Sequence, residues 1–137
     1  MAISVSQKQG RVPVTVISID GRLDGQNYQE LIKKGQEVYN AGSRDILLDL
    51  TNLTYVSSAG MVAFHNLALM LRGETPPSPE QGWSTYRSMG RSSTDSGTQQ
   101  HCKLYNPQTE VHRVLDMVGF TTIFEIFTDL DEAVKSF

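Results

Sequence analysis

"DILLDLTNLTYVSSAGMVAFHNLALMLRG", residues 45–73, is the stretch on which the fold turns, because it holds two different periods. Asp45 to Leu50 is a short, nearly unbroken apolar run, the pattern of a strand buried on both faces. Beyond Ser57 and Ser58, residues Met61, Phe64, Leu67, Ala68 and Leu71 recur at helical spacing, and Gly73 stands where a helix would stop. A buried strand feeding a helix within so few residues is the repeating unit of an α/β fold.

The flanking sequence extends the alternation. Upstream, "VPVTVISI" (Val12 to Ile19) is rich in β-branched residues and changes phase midway, from Val12, Val14 and Val16 to Ile17 and Ile19. That fits a strand covered on both faces or bulged. "ISVSQ" before it fits a short edge strand, and the turn-rich "DGRLDGQ" follows. Asn27 with Glu30 predicts a capping box at the start of a helix whose apolar face carries Tyr28, Leu31, Ile32, Val38 and Tyr39 and which stops before Gly42.

Downstream, "HCKLY" predicts a strand, and "NPQTEVHRVLDMVGF" predicts a helix capped by Asn106, with Pro107 at its first position and Gly119 at its end. "TIFEIF" has strand composition, and "DLDEAVKSF" a short helix opened by Asp129 with Glu132. Strand and helix therefore alternate from residue 12 onward. The fold class expected is α/β, a small mixed and mainly parallel sheet flanked by helices.

One segment breaks the pattern. Residues 74–100 contain no Leu, Ile or Val, and 16 of the 27 are Ser, Thr, Gly or Pro. Such a stretch has too little apolar surface to offset the entropy of ordering it, so it is expected to be a flexible surface insertion in a single domain spanning 1–137. Trp83 and Tyr86 are its aromatic residues, candidates for local packing or for anchoring to a partner.

Composition narrows the function. The chain has 137 residues, 20% of them charged, and a formal net charge of -3 with no Lys/Arg cluster, so nothing favours a nucleic-acid phosphate backbone. Cys102 is the sole cysteine, which excludes an intrachain disulfide and a cysteine-built zinc site. No apolar run reaches the length of a membrane span, and "MAISVSQKQG" lacks a signal-peptide pattern. A cytoplasmic protein without metal or cofactor is the expectation. His65 and His112 are expected to be exposed helix residues, and Asp49 to make a structural hydrogen bond at a strand end.

Ser57 and Ser58 are open to three readings. Helix starts carry unpaired N–H groups and the positive end of the dipole, so one serine suits an N-cap. A hydrolase elbow needs Gly-x-Ser-x-Gly, yet Val56 stands two residues before Ser58, and His65 is two turns down the same helix. A phospho-acceptor fits better, because a phosphate of about -1.5 to -2 charge is favoured at a helix N-terminus and would repel a partner resting there.

The blocks "GRLDGQ", "LLDLTNLTYVSSAGMVAF" and "NPQTEVHRVLDMVGFTTIFEIF", in this order and spacing, resemble the STAS-domain family, and among its members the bacterial anti-sigma factor antagonists. The resemblance spans roughly residues 3–72 and 101–137. It implies a small sheet flanked by helices that acts as a protein-binding switch and not as an enzyme. In the family, the unphosphorylated form binds an anti-sigma factor, usually also a serine kinase of the GHKL type, and a PP2C-type phosphatase resets it. The family's acceptor matches Ser58, with Ser57 the secondary candidate, and the turn aspartate matches Asp24. Asp24, Gly25, Ser57, Ala59, Gly60 and Met61 form the partner-binding face this implies, on a monomer or weak dimer. Two features depart from the family: Ser57 stands where many members have aspartate, and relatives have a short link in place of 74–100. The alternative is a STAS interaction module in another assembly, such as a stress-sensing complex, two-component signalling or a lipid-transport accessory.

Overall fold

The computed structural model describes residues 1–73 and 99–137. Residues 74–98, which hold most of the expected insertion with Trp83 and Tyr86, lie outside them. Among the described residues, β1 (Ala2–Gln9), β2 (Pro13–Leu23), α1 (Tyr28–Asn40), β3 (Ile46–Asp49), β4 (Leu53–Val56) and α2 (Ser58–Leu71) are followed by β5 (Cys102–Tyr105), α3 (Thr109–Met117), α4 (Phe120–Ile123), β6 (Ile126–Phe127) and α5 (Leu130–Lys135).

The strands form one mixed sheet of order β1-β2-β3-β5-β6, with β4 paired to the far end of β2. Only β1 runs antiparallel; β2 with β3, β3 with β5, and β5 with β6 are parallel. The α/β architecture expected from the strand–helix alternation is the one found.

The phase change in "VPVTVISI" has a direct structural counterpart. Ile17 and Ile19 face a large core with Leu31, Phe64, Leu67, Leu115 and Phe120, built under α1, α2, α3 and α4. Val14 and Val16 face the opposite side, where Leu47 meets Ala133 and Val134 of α5. Successive strand residues point to opposite faces, so one strand serves both cores. The strand is central and has no polar face to spare.

Two glycines matter here, one for a close approach and one for a turn. In α1, a Cβ on Gly35 would run into the Leu67 side chain, so the two helices can pack this closely only with hydrogen at that position. Gly42, at φ +114, ends α1 in the left-handed region, as its place in the sequence implied.

Four expectations about elements and helix caps are corrected. Residues 53–56, where the sequence predicts no element, form strand β4, because β2 runs past β3 and offers its last three residues as a parallel partner. The expected capping box on α1 is absent: Asn27 makes no side-chain cap, and its amide instead accepts from Asp24 N–H at 2.9 Å and donates to Arg22 C=O at 2.9 Å. Asn106 does not cap α3, which begins at Thr109; it sits at φ 55 and donates from Nδ2 to Thr51 Oγ1 at 3.2 Å, tying the loop after β5 to the loop after β3. "TIFEIF" is strand only at its end, its first two residues finishing α4. Phe120, Ile123 and Phe124 are buried at helical spacing, and only Ile126–Phe127 pair with β5.

Other signals are met as expected. Asp129 caps α5, its carboxylate accepting from Glu132 N–H at 3.1 Å. Asp49 is structural, accepting from Thr51 N–H at 3.0 Å, Thr51 Oγ1 at 2.6 Å and Ser18 Oγ at 3.1 Å. His112 is exposed. His65 is not: it is 1% exposed on α2. Burial, with Arg72 as the lesser cause, holds its pKa down at about 4, so the ring is neutral at pH 7.

Candidate functional site

Parallel register builds the site. Arg22 lies beside Tyr55 and Leu23 beside Val56, so β2 and β4 end side by side. The next residue on one strand is Asp24 and on the other Ser57. Ser57 N–H donates to Leu23 C=O at 2.9 Å, continuing the ladder one step past the strand and fixing the two loops together. Carboxyl ends of parallel strands are where α/β proteins gather functional groups, since loops and helix N-termini converge there.

The Asp24 loop is tightly wound. Asp24 Oδ1 accepts from Gln26 N–H at 3.0 Å, and Asp24 C=O accepts from Tyr28 N–H at 2.9 Å. With the Asn27 amide bonded to Arg22 C=O, the turn from 22 to 28 is held by side chains as well as backbone. Asp24 is half-buried and Gly25 exposed.

The two serines have different jobs. Ser57 has extended backbone (φ -90, ψ 176), and its Oγ accepts from Gly60 N–H at 3.4 Å, a long N-cap bond. Ser58 is the first residue of α2 and is exposed. No acidic residue occupies the first turn of α2. The dipole's positive end is therefore unbalanced by its own helix.

Two residues of the expected binding face, Gly60 and Met61, are buried. Gly60 is buried: a Cβ there would lie 2.7 Å from Val56 Cγ2 and 2.9 Å from Leu23 Cγ. Its role is to let the first turn of α2 settle onto the ends of β2 and β4. Met61 is 1% exposed and belongs to the core. The accessible part is Asp24, Gly25, Ser57, Ser58 and Ala59.

Two neighbours were not singled out by the sequence. The Arg22 guanidinium stacks 4.3 Å from the centre of the Tyr55 ring, and Tyr55 is 41% exposed. Both are the next-to-last residues of their strands, on the face opposite Leu23 and Val56. Arg and Tyr are residue types over-represented where partners bind. Recognising β4 as a strand was the signal needed to find them.

Other reactive groups lie away from the site. Burial pushes the Cys102 thiol up to about 12, an inert sulfur in β5. Among the described residues no group of His, Cys, Asp or Glu is arranged to hold a metal, and no helix is long and apolar enough to cross a membrane.

No curated protein matches the chain by sequence. Solved structures do. A candidate anti-sigma factor antagonist of Thermotoga maritima superposes with a TM-score of 0.65 at 18% identity, covering 89% of this chain and 85% of that one. An anti-sigma factor antagonist of Mycobacterium paratuberculosis gives 0.63 at 14% identity, covering 98% and 93%. The Bacillus cell fate determinant SpoIIAA in its phosphorylated form gives 0.52 at 16% identity, covering 97% and 96%. At these identities the likeness is one of fold. A family model, that of the Mlab STAS domain, matches residues 6–76, which is just over half of the sequence. With an antagonist-like fold and this match in hand, the chain belongs to the STAS domain family.

Proposed function

We propose that this chain is a phosphorylation-switched antagonist of an anti-sigma factor, with Ser58 as the acceptor. Unmodified, it holds the anti-sigma factor through Asp24, Gly25, Ser57 and Ala59 and so promotes transcription by the released sigma factor. A GHKL-type kinase adds the phosphate and a PP2C-type phosphatase removes it; the domain is a substrate and a docking surface.

The observation that carries this reading is the division of labour between the serines. Ser57 is committed to the helix cap, while Ser58 is exposed at the first helical position beside the tied Asp24 loop. A phosphate on Ser58 would meet the positive end of α2 without disturbing its cap. It would also place about -1.5 to -2 charge next to Asp24, in the middle of the docking face. A partner seated there would face like-charge repulsion and desolvation cost, and would leave.

The test is affinity capture from the source organism's lysate with wild-type, Ser58→Ala and Ser58→Glu baits, with phosphosites mapped on the wild type. A kinase-type partner held by the first two and lost by the third is the expected result. Equal partners on all three, with no phosphate on either serine, would overturn it. That outcome would favour the second reading, a STAS module serving another assembly, which is supported by the matching model being named for Mlab and not for the antagonists.

A further inference from the structure

The outer edge of β1 has no strand beside it among the described residues, since β1 stands first in the sheet order. It pairs with β2 without a bulge, from Ala2 opposite Asp20 to Gln9 opposite Pro13. It contains no proline and a single charge, Lys8. Long, flat edges without charge, proline or bulge are templates for another strand, and natural proteins ordinarily blunt them. Val5 is 40% exposed on the sheet face that carries Ile17 and Ile19, so the apolar row of the core runs out to this edge incompletely covered.

We propose that the occupant is a second copy of this chain, paired antiparallel through β1 about a two-fold axis at Val5. Symmetry restricts the register. Opposed residues of an antiparallel pair share a sheet face, so a two-fold perpendicular to the sheet must place one residue opposite its own copy. With Val5 there, Ser4 meets Ser6, Ile3 meets Gln7 and Ala2 meets Lys8 of the second copy. No like charges are opposed along the pair.

The charges complete the match. Ala2 lies directly across from Asp20 on β2, so Lys8 of the second copy would stand on the same face two strands from Asp20. That is about 10 Å between backbones, bridged over nothing larger than the Ala2 methyl. The pair forms twice by symmetry. Within one copy, Lys8 sits across from Val14, and both Lys8 and Asp20 are exposed with no ion pair among the described residues. The two sheets join into one, and Val5 is covered by its own copy. None of the Asp24 and Ser58 loop residues lies on this edge, so pairing and the proposed switch are independent.

Sedimentation over a concentration series tests this on the 137-residue chain. The wild type is expected to show concentration-dependent dimerisation. Lys8→Asp and Asp20→Lys should each weaken it roughly tenfold, because two opposed pairs become repulsive. Combining the two reversals should restore it. Val5→Lys, which sets two ammonium groups across the axis, should abolish it, and circular dichroism should show each variant folded, since all three positions are exposed. A monomer at every concentration, a dimer indifferent to Val5→Lys, or no recovery in the double variant would overturn the proposal.

Discussion

Gly60→Ala isolates the contact that seats the site. The added methyl would arrive 2.7 Å from Val56 Cγ2 and 2.9 and 3.0 Å from Leu23 Cγ and Cδ2. Ordinary carbon contacts lie near 3.5–4.0 Å, so something must move by several tenths of an ångström at least. Val56 and Leu23 are 3% and 0% exposed and packed in the main core, so neither can swing into solvent. Overpacking of this kind costs about 1–3 kcal/mol. Against it stands the gain of alanine over glycine in a helix, up to about 1 kcal/mol. The net expectation is a loss of about 1–2 kcal/mol in urea unfolding, read at constant m-value. The strain is relieved most easily by lifting the first turn of α2, which would lengthen the Ser57 N–H to Leu23 C=O bond. Partner capture should therefore fall with stability, although Gly60 itself is buried. A neutral or stabilised Gly60→Ala protein, behaving as in an exposed helix, would refute the close-approach argument.

Two further perturbations separate the serines and the buried histidine. Ser57→Ala should cost about 0.5–1 kcal/mol, the low end for a cap because the bond to Gly60 N–H is long, whereas Ser58→Ala should be near neutral; equal losses in thermal unfolding would contradict the assignment of the cap to Ser57. His65 has a folded pKa of about 4 against 6.5 unfolded. Between those values the unfolded chain binds the extra proton, so stability is full above pH 6.5 and falls as pH drops, by roughly 3 kcal/mol at pH 4. His65→Gln should flatten that part of the pH–stability profile; an unchanged slope would show that other groups cause it.

The two-phase run from Val12 to Ile19 correctly announced a strand covered on both faces, because side-chain alternation is a property of the strand itself. Asp129 and Gly42 were equally legible, since a cap and a left-handed turn are settled within a few residues. Asn27 and Asn106 do not cap for the complementary reason: an asparagine amide can serve several partners, and here Arg22 C=O near the end of β2 and Thr51 in the loop after β3 compete successfully with the helix starts.

The site divides along the same line. Residue order placed Ser57 and Ser58 at a helix start and Asp24 in a turn. It placed Met61 on the apolar stripe of α2 but gave no sign that Gly60 and His65 also face inward, because α2 is apolar on most of its circumference and its buried side has no unique signature. Nor did it show β4, four residues long, whose only strand partner among the described residues is the overhanging end of β2. What the sequence by itself determined is the alternation of elements and the chemistry available at their ends, because these follow from short-range periodicity and capping. Only the tertiary structure decided which ends meet: the parallel register of β2 and β4 brings Asp24 beside Ser57 across 33 residues of chain, a proximity held by hydrogen bonds between strands that no local pattern encodes.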